Sequence, residues 1–438
     1  MPIIGNLMLL AWPLVMLILF ARLRLQHAVI WSILGGYLLL PERLGWNLPM
    51  IPNLDKHSIP ALTAIGLTML YLYRRRPGTL RARGIQDRQP PPYTVLKGWL
   101  PRSPAGLLLL GMIVLGAIAS VLTNGDRLVY GPTVIPGLRP YDAMSSLAVI
   151  GFTLMPLLLG RKLLADNDSH RTLIFILCYA AMAYSLLALW EIRMSPRLNF
   201  QIYGFFPHSW IQHIRGDGFR PLVFLRHGLL LGVFMACGIL AAAVCMRLDQ
   251  KRRTLFLLAT FWLLGTLALS KTLGAFLIAL ALLPVVVLMP VRLQLVAAAI
   301  VAGITLSYPI LRGAGWIPVD RISEIAMSYD EGRAGSLIFR LENEDILLEK
   351  ANERPIFGWG GWGRWRVYDD RTGNDVSTSD GSWIILIGEG GWVGYIGLFG
   401  LLTIPVILFL IDSENCQYDS TDDYCTMDPR NTLKSWGV

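Results

Sequence analysis

The chain has 438 residues, 54% of them hydrophobic and only 16% charged, with a formal net charge of +9. Its apolar residues come in runs too long for the core helices of a soluble domain, which points to a polytopic membrane protein. The runs are continuously apolar rather than alternating, which argues against a transmembrane β-barrel.

Runs of roughly 17–25 apolar residues suit a hydrocarbon layer about 30 Å thick. About eleven occur, near 3–21, 27–41, 58–73, 103–123, 141–160, 172–190, 222–246, 254–270, 272–290, 293–311 and 383–411. The predicted fold class is therefore an all-α polytopic membrane protein with about eleven transmembrane helices. One large outer loop contains an amphipathic helix. The first run has no basic residue before it and no small-residue cleavage site, so it is expected to be a span rather than a removed signal peptide. The organisation predicted is a multi-span membrane domain at 1–310, a large loop at 311–382, a final span at 383–411 and a polar tail at 412–438. That tail is aperiodic and expected to be disordered, and Cys416 and Cys425 fall in it, whereas Cys178, Cys237 and Cys245 lie within spans.

Orientation follows from where Lys and Arg collect. The stretch 74–102 carries Arg74, Arg75, Arg76, Arg81, Arg83, Arg88, Lys97 and Arg102 against the single acid Asp87, so it is expected to be cytoplasmic. Counting spans outward puts the basic clusters at 160–164, 247–253 and 291–294 on the same side, the N-terminus outside and the tail inside. The net positive charge is thus a topology signal and a preference for anionic headgroups. A nucleic-acid partner is not expected, because the basic loop has few aromatics and a proline-rich end.

Three segments then face outward: 124–140, 191–221 and about 312–382. In the second, "HSWIQHIRGDGFRPLVFLRHGLLLG" (208–232) brings Arg215, Arg220, Arg226 and His227 toward the next span, the last two at expected membrane depth. Ionisable groups there usually face a cavity or a partner. The bland alternative is a side chain snorkelling to the interface. Lys271 sits in the tight turn "LALSKTLGAF". Such cations at one outer mouth suit a pyrophosphate.

In the third segment, 336–351 ("SLIFRLENEDILLEKA") places Leu337, Leu341, Leu348 and Ala351 at helical spacing, and Arg340 lies on the same amphipathic helix. After Pro355 the chain reads "IFGWGGWGRWRVYDD". Trp359, Trp362 and Trp365 recur every three residues with Arg364 beside them, a mixture suited to a charged glycan, or to an interfacial aromatic belt. Asp380 opens the final apolar run, either as a reactive carboxylate or as a helix N-cap. Gly390 and Gly394 form a GxxxG that Gly397 and Gly400 extend into a small-residue face expected to pack helices closely, with Glu389 beside them facing inward, toward Arg220 or Arg226. No metal-ligand spacing, paired-aspartate metal motif or Gly-rich phosphate loop is present, and no cofactor is expected.

The order of these features resembles the O-antigen ligase and Wzy-type polysaccharide polymerase superfamily of bacterial inner-membrane glycosyltransferases: a basic approach to a mid-chain span, a serine-plus-basic turn, a long outer loop with "RPIFGWGGWG", then a polar pair opening a glycine-rich span. The resemblance covers about 215–400. That family carries a histidine, a small polar residue, nine residues, then Gly and a further Gly, Thr or Tyr. Here Asp380 and Gly381 are followed by nine residues, then Gly391, Gly394 and Tyr395; the spacing survives and the histidine does not. The family's arginine with a glycine eleven positions on is approximated by Arg220 and Gly232, twelve apart, and members commonly continue into a further span.

The resemblance implies a bacterial inner (cytoplasmic) membrane location with the large loop periplasmic. It also implies an undecaprenyl-pyrophosphate-linked oligosaccharide as donor and, as partners, membrane lipids and a chain-length regulator and flippase of the same pathway. The acceptor it implies is a second lipid-linked unit (polymerase, the favoured reading) or a lipid-A core (ligase). Asp380 or His227 would accept the proton, while Arg220, Arg226, Lys271, Arg340, Arg364, Trp359, Trp362 and Trp365 would bind substrate. Reaction without metal or nucleotide sugar is expected. A glycan-lipid transporter or flippase, and a non-catalytic assembly subunit, are the competing classes.

Overall fold

The computed structural model describes residues 3–47, 52–74, 95–216, 218–329, 331–378 and 381–414. Most of the basic stretch 74–102, Asp380 and nearly all of the tail 412–438 lie outside the described residues.

Each apolar run became a helix, as lipid requires of a backbone that finds no water to bond. Among the described residues eight helices are long and apolar enough to cross a membrane. In chain order these are α1 (Ile3–Arg22), α4 (Pro104–Thr123), α5 (Pro140–Leu163), α6 (Asn167–Met194), α8 (Gly228–Leu248), α9 (Arg253–Leu269, which the turn Gln250–Arg252 lengthens to a span of Gln250–Leu269), α11 (Val291–Gly313) and α14 (Ser382–Glu414). The helices α2 (Leu25–Leu39) and α10 (Leu273–Leu288) are shorter but apolar, α3 is Ser58–Arg74 and the short α7 is Leu198–Tyr203. Short polar side chains start several of them: Ser103 accepts from the Gly106 N–H ahead of Pro104, and Asp166 accepts from Ser169.

The chain divides into two compact units, Met1–Trp99 with Gly151–Pro290, and Leu100–Ile150 with Val291–Val438. In the first, small residues bring helices together: a Cβ on Gly238 of α8 would lie 2.3 Å from that of Ala181 on α6. Around them Tyr184, Leu231, Met235, Phe256 and Leu263 are buried, while Leu258 and Phe261 turn outward, the inverse of a soluble surface. In the second unit Gly397 and Gly400 of α14 receive Ile113 and Leu109 of α4, a Cβ at either glycine falling 2.8 Å from a side-chain carbon. Of the expected small-residue face, these two glycines pack closely while its Gly390/Gly394 half does not, since a Cβ on Gly390 would meet nothing within 4 Å and one on Gly394 only a carbonyl at 3.9 Å. Close packing is displaced by a turn or two along the helix because the chain breaks at Gly391, with φ 62° and ψ −165°.

Between α11 and α14 the second unit carries two amphipathic helices, α12 (Val319–Tyr329) and α13 (Glu331–Asn352). The latter extends the expected 336–351 and buries Leu347, Leu348 and Ala351; α12 was not expected from the sequence.

Candidate functional site

In the first unit the segment 195–227 is built around one carboxylate. Glu191, near the end of α6, is fully buried and accepts the backbone N–H groups of Leu198, Leu222 and Val223 at 3.0, 2.8 and 2.7 Å. Tyr184, two turns deeper, accepts from Phe224 N–H and donates to Leu38 O. From another side Lys56, ion-paired with buried Glu42 at 3.1 Å, donates to Phe224 O. These bonds replace a helix's own ladder, so Leu222, Val223, Phe224 and Leu225 are buried yet not helical, Val223 with φ 56°. The expected span start at 222 is therefore corrected: α8 begins at Gly228, and Arg226 and His227 stand before it rather than within it.

That arrangement gathers cations. Arg220, 8% exposed, donates to Lys271 O at 3.3 Å and runs directly over Gly228, where a Cβ would lie 2.4 Å from its Cγ. Lys271, at φ 54° in the turn between α9 and α10, sends its ammonium to Arg215 O at 2.6 Å and passes 2.9 Å from where a Cβ on Gly218 would sit. Gly232 fits against Thr272 beside it. Next to these cations three imidazoles meet, with ring centroids 4.8 Å apart for His208 and His227, 5.1 Å for His213 and His227, and 5.8 Å for His208 and His213. No group of three His, Cys, Asp or Glu among the described residues has metal-holding geometry. Burial, then its neighbours His213, His208, Arg220 and Arg215, pushes His227 down to about 4.

The role expected of His227 changes on this geometry. Its Nδ1 accepts the Leu229 N–H at 3.1 Å as the N-cap of α8. The lone pair it would use as a base is engaged, and the neutral ring presents Nε2–H as a donor. Arg226 is exposed at the edge of the cluster, close enough to His208 for its charge to act on that imidazole.

In the second unit the glycine-tryptophan loop is a folded object of its own. Gly358, Gly360 and Gly363 take positive φ of 68°, 79° and 76°, as does Trp362 at 62°. The chain therefore coils so that Trp359 and Trp365 are buried and Trp362 is 70% exposed. Trp359 donates to Lys350 O at 2.7 Å and Trp365 to Glu389 Oε1 at 2.9 Å. Glu389 thus has its partner within its own unit. Arg364, wholly buried, donates to the carbonyls of Trp359, Asp126 and Pro136 and to the Asp126 carboxylate. It braces the loop, and of the three expected stacking tryptophans only Trp362 offers its face outward. Arg354 forks onto the same Asp126, whose carboxyl is held below the usual range chiefly by that hydrogen bond.

The loop also mates with the broken helix. Trp359 N–H and Gly360 N–H donate to Gly388 O and Glu389 O, while Trp392 N–H and Val393 N–H donate to Pro355 O and Ile356 O. A Cβ on Gly391 would fall 2.4 Å from Ile356, and one on Gly358 2.6 Å from Glu389. The first glycine of the family spacing is thus a chain break clasped by the loop.

Beside the start of α14, Thr378 N–H donates to Asn343 Oδ1, and Glu344 accepts from Trp383 Nε1 at 3.2 Å and Tyr308 OH at 3.3 Å. A Cβ on Gly381 would lie 3.3 Å from Glu344. Sequence reading missed this acid, together with Glu191, Asp126, His208 and His213. Arg340 is exposed on α13.

Helices of membrane-spanning length, with a glycine-tryptophan loop folded on the last of them and a cation cluster at the start of a mid-chain helix, define a polytopic membrane protein. Residues 232–399 match the family model Wzy_C, described as O-antigen ligase. This match supports the superfamily that the sequence resembles, O-antigen ligases and Wzy-type polymerases, and with it a glycosyltransferase-like ligase or polymerase activity in general. No curated protein and no solved structure matches the chain.

Proposed function

We propose that this protein is a polysaccharide polymerase of the bacterial inner membrane, joining lipid-linked glycan units on the periplasmic side. The observation that carries the proposal is the drawing together of Arg220, Lys271 and Arg215 by hydrogen bonds to one another's main chain beside neutral imidazoles. Such a cluster suits the pyrophosphate of an undecaprenyl-linked donor. In this reading an acceptor hydroxyl attacks the anomeric carbon. The new C–O bond forms as the bond to the pyrophosphate oxygen breaks, the lipid pyrophosphate leaves onto the cations, and the hydroxyl proton passes to Asp380. His227 donates a hydrogen bond and caps its helix. Trp362 offers a face to the sugar, and Glu344 is the alternative carboxylate near the start of α14.

The test is the glycan ladder of a deletion strain complemented with wild type, Asp380→Asn, Asp380→His, Glu344→Gln or Arg220→Ala, with membrane levels checked by immunoblot. Loss of long chains and accumulation of single lipid-linked units at normal protein level are expected for Asp380→Asn and Arg220→Ala. A full ladder from both variants overturns the assignment. The family description favours a second reading, transfer to a lipid-A core. Under it the deletion strain would still build long chains, left on their lipid carrier.

A further inference from the structure

The first unit contains a second cationic feature, away from the segment 195–227. Near the start of α6 a cavity of about 620 Å³ is lined by Arg24, His27, Trp31, Arg171, Phe175 and Tyr179. Arg171 and Glu191 stand twenty residues apart on this one helix, about 30 Å at 1.5 Å per residue, which is the thickness of the hydrocarbon layer. The cavity therefore belongs to the opposite membrane interface from the segment 195–227.

Its wall is graded along the helix. Arg171, Phe175 and Tyr179 follow at four-residue intervals and so form one stripe. The Arg171 guanidinium lies 5.7 Å from the centre of the Phe175 ring, and the Phe175 and Tyr179 rings are 6.3 Å apart. Tyr179 is 44% exposed, facing the membrane side of the unit. Arg24 comes from the turn between α1 and α2, and the buried Gln26–Ser169 hydrogen bond, at 2.9 Å, ties that turn to the first turn of α6. His27 Nδ1 is buried beside it without a hydrogen-bond partner. The N-terminus of α6 adds its positive end. Asp168 is the one acid in the lining, set against two arginines.

We propose that this cavity binds an anionic phospholipid of the leaflet it faces, with the phosphodiester between Arg24 and Arg171 and an acyl chain laid along Phe175 and Tyr179. Basic pockets between helices at the cytoplasmic interface hold such headgroups, and an aromatic girdle at headgroup depth suits the glycerol and upper chain. A free phosphate would use the arginines but leave the aromatic stripe uncovered, so the graded wall selects the lipid.

The experiment uses the full-length protein in nanodiscs of phosphatidylcholine alone or with phosphatidylglycerol, read by native mass spectrometry after release and by thermal unfolding. Wild type is expected to retain phosphatidylglycerol and to melt several degrees higher when it is present. Arg24→Gln/Arg171→Gln should lower retention about thirtyfold, as loss of two surface arginine contacts implies. Thr172→Trp, which fills the cavity and keeps both arginines, should do the same and guards against a folding defect in the double variant. Retention unchanged in both variants overturns the proposal. So does a thermal shift reproduced by inorganic phosphate in pure phosphatidylcholine, which would make the cavity a free-anion site.

Discussion

The segment 195–227 and the loop 355–365 are held in opposite ways. The segment 195–227 is anchored by side chains from outside it: Glu191 and Tyr184 of α6 and Lys56 of the turn before α3 bond its main chain. The loop 355–365 is anchored main chain to main chain on the broken helix α14, with Arg364 turned inward as a brace and Trp362 left outside. A side-chain anchor can be loosened one bond at a time, whereas a backbone clasp needs glycine at each close approach and gives way as a whole.

Gly391→Ala should break that distinction most severely. A Cβ there combines a left-handed φ with a 2.4 Å overlap on Ile356, at a cost of at least about 3 kcal/mol, so fluorescence-detected size exclusion should show little folded protein. Glu191→Ala comes next: three buried N–H groups lose their acceptor, at roughly 1–3 kcal/mol for each left unmet. Glu191→Gln should recover much of the loss because one oxygen remains to accept, and thermal unfolding in detergent measures both.

A smaller effect separates titration from capping at His227. Its folded value of about 4 lies below the ordinary 6.5, so between these the unfolded chain takes up the proton first. Its contribution is complete above about pH 6.5 and declines as pH falls toward 4. His227→Asn keeps a capping side chain without the titration, and its melting temperature should depend less on pH over that window; an unchanged slope would assign the effect to His208 or His213. Trp362→Ala is expected to be the mildest for folding, within about 0.5 kcal/mol for an exposed position, while shortening the glycan ladder. A ladder indistinguishable from wild type would remove Trp362 from the substrate face.

The difference in anchoring also decides what could be read from the sequence. Apolar length alone located the helices, because lipid admits few alternatives. Helical spacing likewise revealed α13. Leu222, Val223, Phe224 and Leu225 misled, since hydropathy gives a buried loop and the first turn of a span the same score. Their anchor Glu191 is a lone acid at the edge of an apolar run, thirty residues earlier, and nothing local marks its partners. In the glycine-tryptophan loop the three-residue spacing suggested one stacking face, whereas positive φ at Gly358, Gly360 and Gly363 turns Trp359 and Trp365 into the core. Arg220 and Lys271 were legible as cations but not as neighbours, because fifty residues and two helices separate them in the chain. Asp380 lies outside the described residues, and the chemistry proposed for it rests on the family spacing.

The clasp at Gly391 bears on how the chain is made. Residues 388–393 cannot close their own helical ladder, and open peptide groups are costly in hydrocarbon. Their partners, Pro355, Ile356, Trp359 and Gly360, lie earlier in the sequence. During synthesis the loop has already been translated when the last span emerges, so the span can be received onto a waiting template as it leaves the insertion machinery. A circular permutant that delivered α14 before the loop would leave these peptide groups without that template.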